Sequence, residues 1–377
     1  MPTTKSYLLL LNHFILAAAL TACGAKEMPK SFDGIALLSQ HDYGDEAQTT
    51  DRRSSLLQFI ETRLTGTSGV YTNLRDTAQA AAEATGHEIL SESAGLLMRY
   101  YALTGQKQRF DEEWRRTKQI FELSTGFSYR YSPKHNRKYS VNAAVDDLRI
   151  IRGLYEAGKA FDEPTYTEEA NLYGRRFYEH NVKDGFLYDF HDAEYRTTND
   201  FITLCYIDLK TLALLPLERK QRDAFLEGML GISKKGYLSD EFPFYETRYE
   251  YKTASYRSDK INTVESLLTI LALAEVRQHE ASSIRYVKEQ VSAGTLYGQY
   301  TKEGKPATDI RSTAIYAIAA MIGSELGDKG LYEDSIRRMN ELQVLNGSSE
   351  LNGGFGDPGS GQAYSFDNLM ALLAYAY

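Results

Sequence analysis

Twelve helical segments of two alternating kinds constrain the fold of this chain more than any other feature of it. Past residue 50 no run of alternating apolar and polar residues marks out strands. Helical periodicity instead recurs near 52–64, 88–104, 108–123, 146–161, 165–180, 200–215, 218–230, 260–277, 281–293, 310–325, 329–343 and 364–377. Six of these, at 88–104, 146–161, 200–215, 260–277, 310–325 and 364–377, are apolar on most faces, as in Ile261, Val264, Leu267, Leu268 and Leu271. Their partners carry a charged side, as in Asp111, Glu112, Glu113, Arg115 and Arg116. Helices apolar all round are buried, and helices with one polar stripe face water. Six of each kind predict an all-α fold, an (α/α)6 barrel of six inner and six outer helices. No consensus repeats near 34 residues, which argues against a helical solenoid.

Breakers agree with these boundaries. Pro164 suits a first helical turn, Pro216 stops a helix after Leu215, and Gly294, Gly323, Gly327 and Gly330 fall at or near segment ends. The glycine-rich stretch 352–359 lacks the following Lys-Ser/Thr of a phosphate-binding loop and is expected to be a turn before the last inner helix. With no proline-rich linker, residues 51–377 are expected to form a single domain.

Lys5 precedes an apolar run from Tyr7 to Leu20, too short to span a bilayer, and Leu20-Thr21-Ala22-Cys23 follows it. That pattern resembles the lipobox of bacterial lipoproteins. It implies a signal peptide over 1–22, a lipid on Cys23, and a location outside the cytoplasm anchored to the membrane. Residues 23–50 are then expected to be a polar tether, with the patch at Ile35 to Leu38 able to dock on the body. Once Cys23 is lipidated, Cys205 is left without a disulfide partner in the chain, so the core must hold the fold unaided. A net charge of −8 argues against nucleic acid as a partner. A monomer is expected.

Acidic residues recur near the starts of the proposed inner helices: Glu92, Asp146 with Asp147, Asp200 with Asp208, Asp259 with Glu265, Asp309 and Asp367. Asp at such places is commonly a cap that binds free backbone N–H groups. Glu92 differs, because it lies one turn inside a helix whose Ala94, Leu97, Met98 and Tyr101 form a stripe to be buried. Desolvation there raises a carboxyl pKa, as a general acid requires. A core Glu satisfied by a neighbouring Arg or Tyr would look the same in sequence. No His-x-x-x-His, cysteine cluster or Gly-x-Ser-x-Gly elbow is present, so neither a metal site, a cofactor nor a serine nucleophile is expected.

Two segments carry a family resemblance. Ser91-Glu92-Ser93-Ala94-Gly95-Leu96-Leu97-Met98, with Phe110-Asp111 and Trp114 following, resembles the stretch of glycoside hydrolase family 8 in which Ser-Glu-Gly-Gln-x-Tyr-Gly-Met carries the general acid. Ala143-Ala144-Val145-Asp146-Asp147-Leu148-Arg149-Ile150 is similar to the family's Ala-Ser/Thr-Asp-Ala/Gly-Asp-x-x-Ile motif, with Asp147 at the second Asp and Val145 in place of the first. Asp146 stands next to the vacated position, as a substitute or as part of an altered sugar subsite of the kind expected in the related family 126 and in hydrolase-like lipoproteins of exopolysaccharide operons. The resemblance implies an inverting glycoside hydrolase with Glu92 as acid and Asp147 as a second catalytic carboxylate. Its base would be Asp259 or Glu265, the latter favoured because Val264 and Leu268 hem it in. Asp146, Tyr129, Arg130, Tyr188, Tyr206 and Tyr364 are the expected sugar-binding residues. The expected substrate is a bacterial exopolysaccharide cut at internal bonds. A glycan-binding or assembly lipoprotein that has lost turnover is the alternative, and a lyase on the same toroid a weaker one.

Overall fold

In the computed structural model, residues 35–38, 41–47, 49–80 and 83–377 are described, and Asp33–Tyr377 form one compact unit. The proposed signal peptide and Cys23 lie outside the described residues. The helices are α1 (Tyr43–Glu46), α2 (Thr50–Phe59, continued by a π turn, Ile60–Leu64), α3 (Ser91–Leu103), α4 (Lys107–Phe121), α5 (Ala144–Ala160), α6 (Pro164–Asn181), α7 (Leu209–Leu214), α8 (Arg219–Lys235), α9 (Thr263–Glu275), α10 (Ala281–Ala293), α11 (Thr313–Leu326), α12 (Lys329–Asn340) and α13 (Ser365–Ala374). Helices α3, α5, α7, α9, α11 and α13 each pack on the next, and α13 returns to α3, which closes the inner ring of an (α/α)6 barrel. In α11 every residue from Thr313 to Ser324 is buried. The outer helix α4 buries little more than Phe110, Glu113, Trp114, Thr117 and Phe121. This is the contrast that the apolar and amphipathic segments imposed.

Two departures from the sequence reading have local causes. The segment 200–215 is not one helix. Its β-branched and aromatic start, Phe201–Thr203, pairs antiparallel with Arg248–Glu250, which pairs in turn with Ser255–Arg257. A 3-10 turn, Leu204–Tyr206, follows before α7, whose cap is Asp208 accepting from the backbone N–H of Thr211 at 2.9 Å. The expected tether is also shorter than residues 23–50. Helix α1 docks on the body, with the Gly44 backbone packed against the Tyr375 carbonyl and Tyr43 Oη donating to the Gly327 carbonyl at 3.3 Å. Gly327 and Tyr375 follow the C-terminal ends of α11 and α13, so the chain enters the body at the end of the barrel opposite the N-termini of the inner helices.

Adjacent inner helices α3 and α5 come unusually close because each offers a glycine. A Cβ on Gly95 would lie 2.9 Å from Arg149 Cβ and 3.2 Å from the Ile150 nitrogen, and one on Gly153 would lie 3.2 Å from Met98 Cβ. Gly95→Ala is therefore expected to destabilise the fold by about 1–3 kcal/mol, through overpacking against backbone that cannot yield. Gly228→Ala in α8, where nothing lies within 4 Å of the added Cβ, is expected to stabilise by about 0.4–1 kcal/mol. Urea denaturation of the two variants tests both signs.

Candidate active site

The close contact of α3 and α5 brings their first turns together. Leu90 enters α3 in extended conformation, and Glu92 follows in the first turn. On α5, Asp146 and Arg149 stand three residues apart and so share a face. Arg149 Nη1 donates to Asp146 Oδ1 at 2.7 Å and to Glu92 Oε2 at 3.1 Å, linking the two helices through one guanidinium. Glu92 keeps 21% of its side chain open to solvent, against 8% for Asp146 and 10% for Arg149. Desolvation raises the Glu92 pKa against the opposing charge and hydrogen bond of Arg149. Desolvation likewise pushes Asp146 up to about 7, with Arg149 opposing and the charge of Glu92 adding to the rise.

Asp147 does not join this group. One residue further round the helix, its Oδ2 accepts from Asn142 Nδ2 at 2.9 Å beneath Gly126, where a Cβ would fall 2.3 Å from that oxygen. Its Oδ1 is buried without a hydrogen-bond partner, and burial holds its pKa well above the ordinary carboxyl range. The acid facing Glu92 is thus Asp146.

Glu265 lies in the first turn of α9, three steps round the inner ring from α3. The cap of α9 is Asn262, whose Oδ1 accepts from the Val264 and Glu265 nitrogens at 2.9 and 3.3 Å. Burial raises the Glu265 pKa, opposed by a hydrogen bond from Thr247. Asp259 lies exposed in a bend before α9 and does not cap it. Between the two sides runs the turn carrying Cys205 and Tyr206. Burial raises the Cys205 thiol, and the charges of Glu265 and Asp189 add to the rise while Arg149 opposes it. Tyr206 is raised by burial and then by Asp146. These mutual fields mark one electrostatic unit from Arg149 to Glu265.

Two members of that unit were not assigned a role from sequence. Arg149 had a signal, its i,i+3 spacing from Asp146 at the head of a buried helix. Asp189 had none, being one loop acid among many. It is 9% exposed, and its two oxygens accept from the backbone N–H and the hydroxyl of Thr203, both at 2.6 Å. Burial pushes it up to about 6, with Thr203 opposing and Glu265 adding to the rise.

Of the expected sugar-binding residues, Tyr206 lies beside Asp146. Tyr188 joins an aromatic row, 4.8 Å from Tyr251, which meets Tyr249 at 5.6 Å, which meets Tyr256 at 4.9 Å. Tyr129 stands half-buried, 5.9 Å from Tyr139, and Tyr364 is 47% exposed immediately before α13. Arg130, expected in an open loop, is fully buried. It forms a fork on Glu88 at 2.8 and 2.6 Å, so it braces the strand before α3 and presents no face to a glycan. Asp367 caps a neighbouring helix, accepting from the Ala314 nitrogen at 2.9 Å. Asp309 lies before the start of α11, and Asp200 precedes the strand Phe201–Thr203. Among the described residues no three His, Cys, Asp or Glu side chains are grouped to hold a metal.

Asp189 generates a pH prediction. A carboxyl whose folded pKa lies above its unfolded value contributes stability that is complete below the unfolded pKa and is lost as pH rises through the folded one. For Asp189 that window runs from about 4 to about 6. Asp189→Asn, which keeps an acceptor and a donor for Thr203, should therefore remove a loss of about 2–3 kcal/mol between pH 4 and pH 7. Urea unfolding of variant and wild type at both pH values measures it.

No family model matches the chain. YdaJ of Bacillus subtilis strain 168, a protein named as a lipoprotein, is 26% identical over 298 residues, 76% of this chain and 78% of its own length. A solved structure described as a novel alpha-amylase from Clostridium perfringens is 32% identical, covers 86% of this chain and 97% of its own, and superposes with a TM-score of 0.80. Endoglucanase Cel10 of Klebsiella pneumoniae, a family 8 glycosyl hydrolase, is 13% identical and shares the fold at a TM-score of 0.59, over 86% of this chain and 98% of its own.

Proposed function

The chain belongs to the glycoside hydrolase family of that Clostridium perfringens protein, on the barrel that family 8 enzymes share, and from this premise we propose that it hydrolyses a bacterial exopolysaccharide by an inverting acid/base mechanism. The observation that carries the proposal is the recess in which Arg149 joins Glu92 to Asp146. One guanidinium balances one carboxylate, and desolvation opposes ionising both. A proton is thereby kept at the recess near neutral pH, and Glu92, the more open of the two acids, delivers it to the leaving oxygen. Glu265 guides the water. Its place three helices round the ring from α3 supports an inverting pair, which needs room for a sugar and a water between the carboxyls. Asp259 is the less favoured base, because its exposed bend gives it no cleft to act in.

Tyr206 and the row Tyr188, Tyr251 and Tyr249 are proposed to bind the sugars, with Tyr129 and Tyr364 at the rim. A set of rings this broad would suit a strand of several sugars, hence cleavage at internal bonds. The proposed lipid on Cys23 would hold the enzyme at the outer face of the membrane.

Purified enzyme on exopolysaccharide should release reducing ends. Glu92→Gln should lower kcat by roughly 10²–10⁴-fold. Wild-type activity should fall as pH rises through the raised pKa of Glu92, which loses the required proton. It should also fall as pH drops below the raised pKa of Glu265, which gains an unwanted one. The first anomer seen by proton NMR should be inverted. Equal activity in Glu92→Gln removes Glu92 from the mechanism, and tight oligosaccharide binding with no release over long incubation makes the protein a glycan-binding lipoprotein instead.

A further inference from the structure

Below the site the barrel axis is filled by charge rather than by hydrocarbon. Arg99 of α3 grips Glu156 of α5, its Nε at 3.0 Å from Oε2 and its Nη2 at 2.9 Å from Oε1. Arg152, one turn along α5 from Arg149, donates to Glu156 at 3.0 Å and to Glu275 of α9 at 2.5 Å, and lies 3.8 Å from Asp208, the cap of α7. Lys210 of α7 reaches Glu275 at 4.0 Å and Glu325 of α11 at 3.4 Å. Arg99 also donates to Tyr377 Oη at 2.8 Å. The side chains of Arg152, Glu156, Glu275 and Lys210 are each at most 4% exposed.

A buried ion pair is weak support for stability, because desolvation offsets its attraction and well-packed apolar residues would serve as well. What it supplies is a unique register. Inner helices that are apolar on most faces can rotate or slide against one another with little change in buried area, whereas a forked guanidinium has few acceptable partners. We infer that the Arg152–Glu275 ion pair is a cross-barrel brace that sets how far Glu92 and Asp146 stand from Glu265. The inference rests on the acid and base assignments proposed above. Helix α5 carries Arg149 and Arg152, and α9 carries Glu265 and Glu275. The pair joins these two helices directly across the short α7, which lies between them in the ring. Arg152 and Glu275 touch no substrate in this scheme and are positioning residues.

Glu275→Gln keeps the shape of the side chain and removes its charge. The brace predicts a fall in kcat of roughly 10- to 100-fold at temperatures well below unfolding, with KM little changed and the activity optimum at the same pH. It also predicts a shifted or broadened distance between nitroxides placed on Lys159, in the last turn of α5, and Arg277, just past the end of α9, read by pulsed electron paramagnetic resonance in a Cys205→Ser background. A lowered melting temperature with both kcat and the label distance unchanged would overturn it. If Glu275→Gln does not fold, Arg152→Lys, which keeps the charge but loses the fork, is read by the same two outcomes. If the wild type turns over no glycan, the hydrolase reading fails by itself and the label distance alone decides the brace.

Discussion

A single guanidinium shared by two carboxylates from different helices organises this molecule. Arg149 can reach Glu92 only because α3 and α5 touch through Gly95 and Gly153, and it can reach Asp146 only because the two lie three residues apart on α5. Without the cation, desolvation and mutual repulsion would oppose ionising either acid. With it, one negative charge is balanced and ionising the second is opposed. The chemical character of the recess is therefore a property of the helix contact as much as of the acids themselves.

The same logic continues down the axis. The inner helices bury hydrocarbon against the outer layer but direct Arg99, Arg152, Lys210, Glu156, Glu275 and Glu325 toward one another. Desolvating so many charges is tolerable only when each finds an opposite partner with good geometry. The column thus accepts very few arrangements of the ring. Arg130 and Glu88 do similar work at the barrel wall, fixing the strand that leads into α3 and hence the entry angle of Glu92.

Much of this was legible in the residues. Periodicity marked eleven of the twelve segments as the helices they are, because burial on every face or on one stripe is decided by local composition. The exception, 200–215, shows the limit. Phe201, Ile202 and Thr203 suit a strand as well as a helix, and the choice fell to Arg248, Tyr249 and Glu250, some 45 residues away. The misplacement of Arg130 has the same origin, since nothing near it in sequence announces Glu88 as its partner. The exchange of Asp147 for Asp146 is subtler. Motif alignment weighs residue type and spacing, whereas the side of α5 that meets α3 is selected by two glycines on facing helices.

By itself the sequence determined the helical layers, their inner and outer order, and the presence of Glu92 at the head of a buried helix, because each follows from patterns within about twenty residues. Which acids face each other was decided only by the closed ring. Glu92, Arg149, Asp189, Cys205 and Glu265 come from segments spread over more than 170 residues of chain, and their pKa shifts arise from burial and mutual fields that exist only once the barrel has excluded water.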